Sequence, residues 1–160
     1  IDSLKEISNY FSVTIDELLS SDRLLSIAEK ENKANLQNMC DILFGMIDVC
    51  YFMLIALPLY PNMVNGYIYS VNLWAYTQTT ELNYLLFWIM YASLVILGII
   101  KLLLTKFRSK KYNPAMTGIS MILGIALVLF LAVTREAYAV VVAFLLLVIK
   151  GILLLKNAKR

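Results

Sequence analysis

The sequence has no histidine among its 160 residues, only two cysteines and three prolines, and charged residues make up just 16% of it. Each shortage removes a class of function. Without histidine the usual general base near neutral pH and the commonest metal ligand are both missing. Cys40 and Cys50 lie in one apolar helical stretch, about 15 Å apart along a helix, too far to bridge. No serine sits in a glycine-rich elbow and no phosphate loop occurs in the chain. Hydrolysis, phosphoryl transfer and metal chemistry lack their usual parts, so an enzyme is not expected and no catalytic residue, metal or cofactor is assigned.

What is abundant is apolar surface: 61% of the residues are hydrophobic and the mean hydropathy is +0.75, whereas soluble domains are roughly 45–50% apolar. A bilayer span needs about 20 apolar residues, and four stretches qualify, at about 40–60, 82–104, 115–134 and 137–155. Pro58 and Pro61 close the first and Pro114 opens the third, positions where proline's missing N–H costs a helix least. A tight turn at Arg135 and Glu136 makes spans three and four an antiparallel hairpin. The expected fold class is all-α: an integral membrane four-helix bundle preceded by short cytoplasmic helices. The loop over 61–81 has no Lys or Arg, and its Tyr67, Tyr69, Trp74 and Tyr76 suit the headgroup level.

Orientation follows from the basic residues. Lys5, Arg23, Lys30 and Lys33 precede span one; Lys106, Arg108, Lys110 and Lys111 lie between spans two and three; Lys156, Lys159 and Arg160 follow span four. All of these share one side and only Arg135 lies opposite, so the positive-inside rule places both ends in the cytoplasm, with the bilayer as the first partner.

Four charges fall inside or at the ends of the spans: Asp41 and Asp48 on the first, Lys101 on the second and Lys150 on the fourth. The aspartates are seven apart and share a face, with Asp48 about 10 Å deeper. An unpaired carboxylate at that depth is costly, so Asp48 is expected to face the bundle interior and to pair with Lys101 or Lys150. Two readings stand: lysines that snorkel while the aspartates fix helix packing, or a site that senses a ligand or a proton. Ser120 and Gly124 have the small-xxx-small spacing that allows close helix approach, although single small residues are common in spans.

Ahead of the spans the chain is polar. It begins at Ile1 rather than methionine and reads as the remainder of a longer protein. Ser3 and Glu6 have capping-box spacing for a helix over 3–11; Thr14 and Glu17 have it for a second short helix, with Val13 and Leu18 spaced as a hydrophobic staple. Mixed charges over 20–37, among them Asp22, Arg23, Glu29 and Lys33, read as a helical linker without sustained heptads. The domains expected are therefore 1–20, 21–38 as linker, and 39–160 as the membrane domain.

Residues 4–19, LKEISNYFSVTIDELL, carry Leu4, Ile7, Ser8, Tyr10, Phe11, Val13, Thr14, Asp16, Glu17, Leu18 and Leu19 in an order that resembles the closing two helices of the lambda-repressor/Cro-like (XRE-type) helix-turn-helix domain. The match covers about a tenth of the chain. The resemblance implies a bacterial, membrane-anchored transcriptional regulator in the inner membrane. DNA would be its partner through helices before Ile1, which include the recognition helix, so no residue here is assigned to base contacts. It also implies a homodimer, because operators read by this family are often palindromic, with a bundle that anchors and senses a membrane or peptide signal. The alternative is a small transport or bacteriocin-immunity-type membrane protein whose buried charges bind substrate or block a toxin.

Overall fold

The computed structural model describes residues 15–107 and 113–158. The expected helix over 3–11, the Thr14 cap and the basic residues Arg108, Lys110, Lys111, Lys159 and Arg160 lie outside the described residues. Contacts divide the chain into two units, Ile1–Asn38 and Met39–Arg160. In the first, every described residue is helical.

Helix α1 runs over Ile15–Cys50 without interruption. The second short helix, the linker and the first half of span one are thus one helix rather than three elements. Residues 20–40 contain neither glycine nor proline, and their Leu, Ala, Glu, Lys and Gln are strong helix formers, so the change from polar to apolar side chains leaves the backbone unaffected. After Cys50 the helix tightens, with the Tyr51 and Phe52 N–H groups bonded to the Asp48 and Val49 carbonyls three residues back, at 3.3 and 3.0 Å. It ends in α2, Met53–Ala56. Leu57 is extended at ψ 147°, as the residue before a proline prefers.

The segment expected as a loop contains a β-hairpin, a correction to that part of the sequence reading. Strands β1 (Tyr60–Val64) and β2 (Tyr67–Val71) pair antiparallel, with Tyr60 opposite Val71 and Val64 opposite Tyr67. Asn65 and Gly66 turn the chain with φ of 53° and 83°, both positive as a type I′ turn requires. A 3-10 turn, Leu73–Ala75, follows, capped by the Asn72 side chain.

Three long helices complete the second unit: α3 (Glu81–Lys106), α4 (Asn113–Val133) and α5 (Ala137–Ala158). Thr80 caps α3 through its hydroxyl. Between α4 and α5 the chain reverses through Arg135 at φ 63°. The Arg135 N–H bonds to the Ala132 carbonyl and the Glu136 N–H to the Leu131 carbonyl, the paired closure of a Schellman motif with arginine where glycine is usual. Four segments among the described residues are long and apolar enough to cross a membrane: Arg23–Ala56, Glu81–Lys106, Pro114–Val133 and Ala137–Asn157. The class is all-α apart from the hairpin.

Apolar side chains line the outside of the bundle as well as the inside. Leu85, Ile122, Leu129 and Phe144 are all more than half exposed, which water would penalise and lipid does not. The interior holds Tyr51, Leu54, Phe87, Tyr91, Leu94, Leu127 and Leu131. Helices α1 and α3 approach closely at Gly45 and Gly98: a Cβ on Gly98 would lie 2.7 Å from the Asp48 Cβ and 2.9 Å from the Gly45 carbonyl oxygen. Gly124 on α4 is also tight, a Cβ there falling 3.0 Å from Leu147, but what it would meet is side chain rather than backbone. Gly98→Ala should cost the protein about 1–3 kcal/mol by forcing α1 and α3 apart. Gly118→Ala, where a Cβ meets nothing within 4 Å, should change stability by less than about 1 kcal/mol and in the favourable direction. Thermal unfolding of both variants in one detergent checks the contrast.

Candidate functional site: a buried polar cluster

Helix α1 carries Asp41, Phe44, Asp48 and Tyr51 at intervals of three, four and three, which puts all four side chains along one stripe. The stripe faces α3, α4 and α5, and the four charged residues singled out from the sequence come together there as two pairs.

The inner pair is Asp48 with Lys150. Both are buried, at 1% and 0% exposure, and the Lys150 ammonium contacts Asp48 Oδ1 directly. Ser120 on α4 completes the group: its hydroxyl donates to the Asp48 carboxylate, with both oxygens 2.7 Å away, and accepts from Lys150 Nζ at 2.8 Å. Ser120 thus makes a three-helix junction of what would be a two-helix ion pair. The Lys150 ammonium also lies 4.6 Å from the centre of the Tyr51 ring, close enough for cation–π attraction.

The outer pair is Asp41 with Lys101, at 3.6 Å. Lys101 is 1% exposed while Asp41 keeps 13%. The Lys101 ammonium donates to the Thr117 hydroxyl on α4. Beside this pair is a cleft of about 20 Å³, lined by residues that include Cys40, Asp41, Lys101, Thr117 and Asn157, room for a single water.

Phe44 joins the pairs. Its ring centre lies 4.0 Å from the Lys101 ammonium and 5.4 Å from that of Lys150, so one aromatic ring serves both cations. Sequence reasoning missed Phe44, Thr117 and Tyr51, and weighed Ser120 only as a small residue. The available signal was spacing, since Thr117 and Ser120 are one helical turn apart and share a face.

The arrangement can hold helices in register and hold charge balance inside a low-dielectric bundle. Among the described residues no group of three or more metal-ligating side chains occurs. Removing one member of the inner pair leaves a buried charge without a counterion, which typically costs about 3–5 kcal/mol. Asp48→Leu should therefore lower the unfolding temperature sharply, and Asp48→Leu with Lys150→Met should recover much of the loss. Asp41→Asn, which keeps an acceptor for Lys101 at a site where the carboxylate retains some exposure, should cost less than Asp48→Leu. Thermal unfolding of the three variants distinguishes a coupled buried pair from independent snorkelling charges, for which the double variant would be no better than Asp48→Leu alone.

No protein-family model matches the chain, and no solved structure does. Among curated proteins, the HTH-type transcriptional activator BcrR of Enterococcus faecalis is 43% identical over 148 residues, which is 92% of this chain and 72% of that protein. At that level of identity, held across nearly its whole length, the chain belongs to the family of the HTH-type transcriptional activator BcrR.

Proposed function

We propose that this chain is the membrane-anchoring part of a DNA-binding transcriptional regulator, with the four-helix bundle as anchor and sensor. Kinship with a transcriptional activator carries the reading, and the four membrane-length helices supply the anchor. The helix-turn-helix resemblance at Leu4–Leu19 supports placing the DNA-binding domain at the N-terminal side, with its recognition helix ahead of Ile1. The clustering of Lys and Arg before span one, between spans two and three and after span four supports an inner-membrane protein with both ends in the cytoplasm, where DNA is accessible. A palindromic operator would call for a homodimer.

The buried polar cluster is the proposed sensing element. It lies where α1, α3, α4 and α5 meet, and α1 is the helix that continues back toward the N-terminal residues. A membrane or peptide signal that altered the packing of α3, α4 or α5 would act on α1 through Asp41 and Asp48.

Two measurements test this reading. The full-length regulator in detergent should retain its own promoter fragment over unrelated DNA. That retention should weaken as salt rises, because each phosphate contact releases a counterion. Equal retention of unrelated DNA at every salt concentration would sink the regulator reading. A promoter-fusion reporter in cells should lose its response when the bundle is exchanged for an unrelated four-span anchor; an unchanged response would leave the bundle an anchor only.

A further inference from the structure

At the end of the bundle opposite the lysine–aspartate pairs a second polar group is buried, which the function proposed above does not use. Glu136, in the turn between α4 and α5, is 2% exposed. Its Oε1 accepts a hydrogen bond from the Tyr76 hydroxyl, at the end of the 3-10 turn after the hairpin. Its Oε2 is buried with no hydrogen-bond partner among the described residues.

The surroundings are hydroxyls and aromatic rings. Tyr60 of β1 and Tyr91 of α3 share a hydrogen bond at 2.8 Å, and the Tyr60 hydroxyl also lies 2.9 Å from the Leu54 carbonyl oxygen. The Tyr60 ring centre is 5.1 Å from that of Tyr76 and 6.1 Å from that of Phe87. The titratable groups that face Glu136 are thus Tyr76 from the loop, Tyr60 from β1 and Tyr91 from α3. The neighbouring Arg135 side chain is exposed, and among the described residues no lysine or arginine pairs with Glu136.

A carboxylate with one donor, one orphan oxygen and no cation is unfavourable when ionised and buried, whereas a neutral carboxyl suits the same place. We propose that Glu136 is a proton-binding site that latches the segment 57–80 onto the α4–α5 turn, closed when Glu136 is protonated and loosened when it is ionised. Burial pushes the Glu136 carboxyl above its ordinary value, against a smaller opposing effect of the Tyr76 hydroxyl. A group whose pKa is raised in the closed state favours closure at low pH and loses that contribution as pH climbs through the raised value. The loop is therefore held most firmly at low pH. The segment 57–80 has no charged residue of its own, so nothing else within it responds to pH in that range.

The two tryptophans of the chain report on the latch, because Trp74 of the loop and Trp88 of α3 lie 5.8 Å apart. Their emission in nanodiscs of zwitterionic lipid should follow a single titration whose midpoint lies above the ordinary range of a glutamate. Glu136→Gln, which resembles the protonated form, should show the low-pH emission at every pH. Tyr76→Phe removes the hydrogen bond that favours the ionised form and should move the midpoint to higher pH. Amide exchange of residues 60–76, measured alongside, should quicken at the high-pH end in the unsubstituted protein and stay slow in Glu136→Gln. A flat emission profile, or a titration that persists unchanged in Glu136→Gln, overturns the proposal. If Glu136→Gln fails to fold, the direction of the Tyr76→Phe shift decides alone, a midpoint that stays put or falls counting against the latch.

Discussion

The hydrogen-bonded contact among Asp48, Ser120 and Lys150 is the constraint around which the bundle is arranged. A carboxylate and an ammonium at that depth have no water to turn to, so the helices that carry them adopt the rotations that bring them together. Ser120 adds α4 to the junction, and Lys101 with Thr117 and Asp41 repeats the device nearer the helix ends. Apolar side chains between transmembrane helices confer little preference for one rotation over another, since lipid and neighbouring helix are equally apolar. The polar contacts supply that preference.

The close approach of α1 and α3 follows from the same geometry. Gly98 packs against the backbone of α1 beside Asp48, so α3 stands near enough for the Lys101 side chain to reach Asp41. A side chain on Gly98 would lengthen that reach. Small residues and charges therefore belong to one arrangement on α1, in which Gly45 admits the neighbouring helix and Asp41, Phe44 and Asp48 bind what that helix and its partners bring.

Much of this was legible in the sequence, and the reasons differ by element. The four membrane-length helices were readable because runs of about 20 apolar residues have few other uses. The involvement of Asp41, Asp48, Lys101 and Lys150 was readable because charges in such runs are costly. Their pairing was not, since depth alone leaves Lys101 and Lys150 equivalent and only helix rotation sends Lys150 to Asp48. The glycine crossing was not anticipated either: Gly45 and Gly98 lie on different helices, and no spacing within one helix reveals that they meet. Asn65 and Gly66 are a strong hairpin signal, masked by Pro61 and Asn62, which weaken the flanking stretch as a strand. The passage from linker to span shows only in side-chain polarity, since the backbone of α1 is continuous across it.

The order of the paired residues along the chain bears on how the protein is made. Asp48 lies on the first of the four spans described, but its counter-charge comes on the fourth, more than a hundred residues later at Lys150. Until α5 is made, Asp48 has Ser120 of α4 as a hydrogen-bond donor but lacks the ammonium that contacts it in the complete bundle. The junction closes only with α5 in place. The Asp48–Lys150 pair thus ties the first of these four spans to the fourth, and a chain cut short before α5 would lack the contact.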